Sequence, residues 1–280
     1  MMTLITATLN AARHIERACE SVWATPPKAI HHIVVDGGSV DETLCICEKF
    51  PAIETVVVPG CSIYEAWNIG LERARGDRIM FLNADDELAE TALETVATSF
   101  ASHPEAEIVA GHALVMERDS PTGSSRLLVA APGGRLDVGQ LALGVPVINA
   151  MAFRRSVFER HGNFDTTYRV AGDRAFLLRL AMLQPATAVA PIDSVLYRYY
   201  SHPGSLTLKR SLEQRLRIAR DHIALADRLL ADPPVSQTAR LLRYWRQREA
   251  AVAAWRCTAA GRPVAALQFA RQFLAGAAAR

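Results

Sequence analysis

The chain has 280 residues, half of them apolar, with a mean hydropathy of only +0.09 and a formal net charge of +2. That length suits one large α/β domain with an extension, and no apolar run approaches the roughly 20 residues of a membrane span. Five cysteines (Cys19, Cys45, Cys47, Cys61 and Cys257) and an N-terminus without a basic leader read as an unexported chain with reduced thiols, and Cys45-x-Cys47 has the wrong spacing for a zinc knuckle.

Leu4–Leu9 is a short apolar, β-branched run followed by Asn10, which reads as a helix N-cap, and Ile15, Ala18, Cys19, Val22 and Trp23 then recur at helical spacing. Pro26-Pro27 stops that helix. Ile30–Val35 predicts a second strand ending in Asp36-Gly37-Gly38-Ser39, and Ser39 to Glu42 has the pattern of a capping box opening the next helix. Ile53–Val58 is a third strand. Ile63, Ala66, Trp67, Gly70, Leu71 and Ala74 line one helical face, which makes Trp67 a core residue. Arg78–Leu82 is a fourth strand, ending in Asn83-Ala84-Asp85-Asp86. This rhythm predicts parallel strands with crossover helices, an α/β fold.

Further on, residues 107–116 and 126–131 are expected to pair across a polar turn at 119–123. Val147–Phe153 is a strand candidate and Gly172–Met182 reads as a helix. Beyond Ser205 three helices are expected, broken at Asp232-Pro233-Pro234 and Gly261-Arg262-Pro263. This tail holds 14 basic and 5 acidic residues, so the body before it is net acidic. Its arginines and its aromatics (Tyr244, Trp245, Trp255, Phe269 and Phe273) suit a solvated, packed helical extension. Contact with an anionic membrane surface and a homodimer face are the sharper options, while no motif speaks for nucleic acid.

Open parallel sheets bind ligands beyond the carboxyl ends of their strands. Three polar clusters fall there: Thr8-Leu9-Asn10, Asp36 to Ser39, and Asn83 to Asp86. A dinucleotide fingerprint and a Walker loop are both absent. Adjacent carboxylates after a buried strand repel unless a cation lies between them and a ligand, and Mg²⁺ or Mn²⁺ typically takes one or two carboxylates plus phosphate oxygens. A nucleotidyltransferase shares these features, but residues 8–16 offer only Arg13 as a phosphate-loop cation. A catalytically silent binding module is the other alternative.

The runs Thr6–Asn10, Val34–Asp41 and Gly76–Asp86, with Ile63–Gly70, Gly162–Asp165 and Ala171–Asp173, resemble family 2 glycosyltransferases of the GT-A fold, in particular the bacterial branch acting in surface-polysaccharide assembly. The resemblance covers residues 3–205. It implies a GT-A domain over 1–205, with a nucleotide-sugar half to about residue 100 and an acceptor half from 101, followed by a basic helical extension over 206–280. It further implies an inverting transfer from a nucleotide-diphosphate sugar, UDP-linked by the family's habit, to a hydroxyl of a glycan or lipid-linked saccharide at the cytoplasmic side of a membrane. By the same resemblance Thr8, Asn10, Asp36 and Gly37 line the nucleotide pocket. Asn83-Ala84-Asp85 stands for the family's Asp-x-Asp motif, with Asp85 on a divalent cation (Mn or Mg) and Asp86 supporting it or the donor sugar. Asp173 is the general base, and His202 is a third metal contact. Three departures stand out: Asn83 replaces an aspartate, Gly60-Cys61-Ser62 lacks the branch's usual lysine, and Asn149 stands where many relatives carry histidine.

Overall fold

A computed structural model describes every residue except 24–29, 118–124, 131–133, 184–185, 202–210, 233–234 and 279–280. The Pro26-Pro27 stop, the 119–123 turn, the expected junction near 205, the Pro233-Pro234 break and His202 lie outside the described residues.

The first half winds strand and helix alternately: β1 (Met2–Thr8), α1 (Ile15–Trp23), β2 (Ile30–Asp36), α2 (Thr43–Cys47), β3 (Ile53–Val57), α3 (Ile63–Arg73) and β4 (Arg78–Asn83). These four strands run parallel in the order β3-β2-β1-β4. β1 and β2 are buried almost throughout, as both faces of a helix-covered parallel sheet require.

The second half mixes antiparallel with parallel pairing. After β5 (Glu87–Leu88) and α4 (Ala92–Ser102), β6 (Ile108–Glu117) pairs with β7 (Ser125–Val129), as the two apolar runs predict. Then follow α5 (Val138–Leu143), β8 (Met151–Arg154), α6 (Arg155–His161), α7 (Gly172–Ala181) and β9 (Val189–Ser201). The sheet continues from β4 through β8, β6 and β9 to β5, so it is mixed, with β8 antiparallel to both β4 and β6. Helices α8 (Leu212–Ala231), α9 (Ser236–Ala259) and α10 (Pro263–Ala278) close the chain, three as expected. Among the described residues no helix is long and apolar enough to cross a membrane.

Three local expectations are corrected. Asn10 does not cap α1; it sits in the left-handed region at φ 48°, which Asn tolerates, and helix α1 starts only at Ile15. The Ser39/Glu42 pattern makes no capping box, because Ser39 is bound to Asp36, leaving Glu42 at the N-cap of α2 without a side-chain bond. The reciprocal box forms instead at α3, where Ser62 Oγ accepts from Glu65 N at 3.3 Å and Glu65 Oε2 accepts from Ser62 N at 2.6 Å. Val147–Phe153 is a strand only from Met151, since Ile148–Ala150 forms a single 3₁₀ turn.

One aromatic cluster joins the two halves. Trp67 of α3, buried as expected, lies 4.5 Å from Phe81 of β4. Phe164, in the loop before α7, meets Trp67 at 5.1 Å, Phe81 at 5.2 Å and Phe176 at 4.9 Å. The tail is not a detached appendage: Leu225, Ala226, Leu242 and Trp245 belong to this same core. Truncating Phe164, which touches four elements at once, is expected to cost about 3–5 kcal/mol in Phe164→Ala. Urea unfolding measures it, and a loss below about 1 kcal/mol speaks against a shared core.

Candidate functional site

The sheet register sets the first part of the site. Thr8 stands opposite Asp36 and Ala7 opposite Asn83, so the ends of β1, β2 and β4 open side by side. Asp36 is fully buried and binds its own loop: Oδ1 accepts from Gly38 N at 2.9 Å and Ser39 N at 2.7 Å, and Oδ2 accepts from Ser39 Oγ at 2.6 Å. Gly38 turns at φ +93°, a conformation that glycine adopts without a Cβ penalty. Gly37 N donates to Thr8 O at 2.8 Å. Asn10 N donates to Ser39 Oγ at 2.8 Å, and its side-chain oxygen accepts from Val40 N at 3.0 Å. Thr8, Asn10, Asp36 and Gly37 are thus one hydrogen-bonded unit. Thr8 Oγ1 is buried there with no hydrogen-bond partner, a polar atom left over for a ligand.

The acidic turn after β4 is held by β9, three places away in strand order. Asp86 is 3% exposed. Its Oδ2 accepts from Asn83 Nδ2 at 3.0 Å and from the Tyr197 hydroxyl at 2.9 Å, while Oδ1 accepts from Tyr200 N at 2.9 Å. Burial, with the neighbouring charge of Asp85 second, pushes the Asp86 carboxyl up to about 8. Asn83 N donates to Tyr197 Oη at 3.0 Å, so one tyrosine hydroxyl serves both ends of the turn. Arg17 of α1 donates to Asp85 O at 3.3 Å, pairs with Glu87, and lies 4.3 Å above the Tyr200 ring. Asn149 is buried beneath: it donates to Phe81 O at 3.2 Å and accepts from the Tyr199 hydroxyl at 2.8 Å.

Asp173 is the second residue of α7. Its Oδ1 accepts from the Tyr64 hydroxyl at 3.1 Å and from Arg174 N at 2.7 Å. Burial pushes this carboxyl up, opposed by the nearby Arg174 guanidinium. Tyr64 reaches it because Gly172 has no side chain; a Cβ there would stand 2.7 Å from the tyrosine ring. Arg174 is itself fixed, donating to the carbonyls of Leu141, Ala142 (2.9 Å) and Gly144 (3.0 Å) at the end of α5. The Tyr199 hydroxyl is raised well above its ordinary range by burial first, and then by Asp86, Asp173 and Asp85. The charge of all three carboxylates is thus felt at one tyrosine hydroxyl, whose hydrogen bond goes to Asn149.

Among the described residues no three His, Cys, Asp or Glu side chains group as a complete metal site. Asp85 beside the strained charge of Asp86 nevertheless fits an ion that completes its shell with phosphate oxygens and water, since a cation would relieve that repulsion. Arg17, Tyr64, Tyr197, Tyr199 and Tyr200 were not singled out as partners of the carboxylates by sequence reasoning. The signal for two of them was present: Tyr197 and Tyr199 share one face of a strand at period two.

Residues 3–162 match the family described as glycosyl transferase family 2. A PGL/p-HBAD biosynthesis glycosyltransferase of Mycobacterium tuberculosis is 29% identical over 186 residues, covering 64% of this chain and 69% of the relative. Among solved structures, S. aureus TarS 1-349 in complex with UDP-GlcNAc superposes with TM-score 0.67 at 18% identity, over 88% of this chain and 72% of that one. The mannosyltransferase PcManGT of Pyrobaculum calidifontis, in complex with GDP-Man and Mn²⁺, gives TM-score 0.58 at 20% identity over 96% and 78%. The fold is GT-A.

A carboxyl whose folded pKa lies above its unfolded one favours the native state most at low pH. For Asp86 that advantage is present below about 4 and is lost as pH rises towards 8. In chelator-treated protein, Asp86→Asn should flatten the fall of urea midpoint over this window; an unchanged pH slope overturns the assignment.

Proposed function

The chain belongs to glycosyl transferase family 2 and is a glycosyltransferase, and we propose that it moves a sugar from a nucleoside-diphosphate donor, UDP-linked, onto an acceptor hydroxyl with inversion, in glycan or glycolipid assembly. The observation that carries this reading is the buried Asp173 at the start of α7, oriented by the Tyr64 hydroxyl and raised by burial, together with the acidic Asn83–Asp86 turn at the carboxyl end of β4. A carboxylate so placed is a fit acceptor for the proton of an attacking hydroxyl. The donors in the solved neighbours, UDP-GlcNAc and GDP-Man, support the donor class, and the mycobacterial relative is named a biosynthesis glycosyltransferase.

In this reading the unit of Thr8, Asn10, Asp36 and Gly37 takes the nucleotide. Asp36 shapes the loop, and the unpartnered Thr8 Oγ1 faces a hydrogen-bonding ligand. Asp85 would hold the divalent cation, Mn or Mg, with Asp86 bracing the turn from beneath; His202 as a further ligand lies outside the described residues. When bound, the ion would supply charge neutralisation for a departing diphosphate. Asn83 keeps the geometry of the turn through its bond to Asp86 without adding a charge. Asp173 takes the proton of the acceptor hydroxyl as its oxygen attacks the anomeric carbon and the nucleoside diphosphate leaves, a single displacement that inverts that centre. Tyr64 and the start of α7 keep its carboxylate in one orientation.

Two variants test separate parts of the reading. Asp173→Asn should lower transfer by about 10²–10⁴-fold while the thermal shift given by the donor diphosphate persists; transfer at the wild-type rate removes Asp173 as base. Screening UDP, GDP, dTDP and CMP with and without Mn²⁺ should show one diphosphate raising the melting temperature in a metal-dependent way. Asp85→Ala should abolish that increment. No response to any nucleotide favours a silent module instead.

A further inference from the structure

Helix α9 presents one face that stays exposed among the described residues. Arg240, Tyr244, Arg248, Ala251 and Trp255 are all exposed and recur at intervals of four, four, three and four residues, which aligns them within a narrow stripe. The stripe runs for about 22 Å at the helical rise per residue. Tyr244 is 57% and Trp255 69% exposed, whereas Trp245, one position on, is fully buried. The core thus takes the neighbouring face and leaves this one outside. No acidic residue lies on the stripe; Glu249, beside it, pairs with His222 on the inner side and with one nitrogen of Arg248.

At its C-terminal end the stripe opens onto a groove of about 370 Å³ lined by Leu212, Arg215, Trp255, Arg256, Ala259 and Ala260. Two guanidiniums share this groove, close enough that Arg215 adds to burial in lowering the Arg256 pKa. An aromatic wall, an aliphatic floor and two like charges in one concavity suit an anionic group carried on an apolar body.

We infer that this face of α9 and the Arg215/Arg256 groove dock the protein on an anionic lipid bilayer. Trp255 and Tyr244 enter the interfacial zone, the groove takes a headgroup phosphate, and Arg240 and Arg248 lie along the surface. Three observations favour this occupant. The tail carries 14 basic against 5 acidic residues, so its charge complements an anionic leaflet. A second copy meeting the same face in a two-fold dimer would set arginine against arginine, which disfavours self-association. A single outward helix face is convex, and it lies flat on a bilayer more readily than it tracks a polynucleotide strand. The inference stands on binding alone and is independent of the transfer chemistry.

The test is co-sedimentation of the full chain with vesicles of phosphatidylcholine alone or mixed with phosphatidylglycerol, together with quenching of tryptophan emission by brominated lipid. Binding should be on the order of tenfold or more tighter to the anionic vesicles, and it should weaken with added salt. Trp255 is the exposed tryptophan among the described ones, so Trp255→Phe should lose most of the quenching while still binding. Arg215→Gln with Arg256→Gln, and separately Tyr244→Ser with Trp255→Ser, should each reduce binding by about tenfold or more with an unchanged melting temperature. Equal binding to both vesicle types, no binding to either, or variants that bind as the parent does would each overturn the proposal. So would a concentration-dependent dimer lost in Tyr244→Ser with Trp255→Ser, which assigns the face to a second copy.

Discussion

A carboxylate placed out of water must find donors, and the way Asp86 finds them organises the candidate site. Its partners come from its own turn, through Asn83, and from a strand 111 or more residues further on, through the Tyr197 hydroxyl and the Tyr200 amide. The short antiparallel pairing of β5 with β9, Glu87 opposite Arg198 and Leu88 opposite Tyr197, brings that strand within reach. The acidic turn is therefore fixed by β9, which lies three places from β4 in strand order. An unpaired buried carboxylate would cost several kcal/mol, so the turn and β9 stand or fall together.

The same logic links the second half of the chain to the first. Tyr64 is carried by α3, which belongs to the parallel half, yet its hydroxyl serves Asp173 on α7. The bare Cα of Gly172 lets the ring approach, and stacking of the Tyr64 ring near Phe164 at 6.0 Å continues into the aromatic cluster beneath. Arg174, one residue beyond Asp173, is tied to the end of α5 and faces Trp245 of α9 at 5.7 Å. Helix α9 thereby supports α7 on its inner side while its outer face stays open. One helix thus packs against α7 and also carries an exposed stripe, which places the basic tail in mechanical contact with the candidate site without giving it a residue there.

Much of this was legible beforehand, for identifiable reasons. Strands β1 to β4 and helices α1 and α3 follow from apolar periodicity. The polar ends of β1, β2 and β4 follow from the rule that open sheets bind at their carboxyl edge. Local capping was less legible: Ser39 and Glu42 have the spacing of a capping box, yet Asp36 competes for the same serine hydroxyl at 2.6 Å and wins. Ser62 and Glu65 have the same spacing and no such competitor, so there the box forms.

What the sequence by itself determined is the order of elements and the residue types at the strand ends, because these depend on local periodicity and on chemistry confined to a few consecutive positions. Which partner each carboxylate takes was decided only by the tertiary structure. Tyr197 lies 111 residues from Asp86, and Tyr64 lies 109 from Asp173. A tyrosine's spacing along the chain reveals that it can donate a hydrogen bond, but burial of the acceptor decides whether it must. That burial arises when β9 crosses back beside β6 and carries its edge to β5, a register fixed by packing between distant segments.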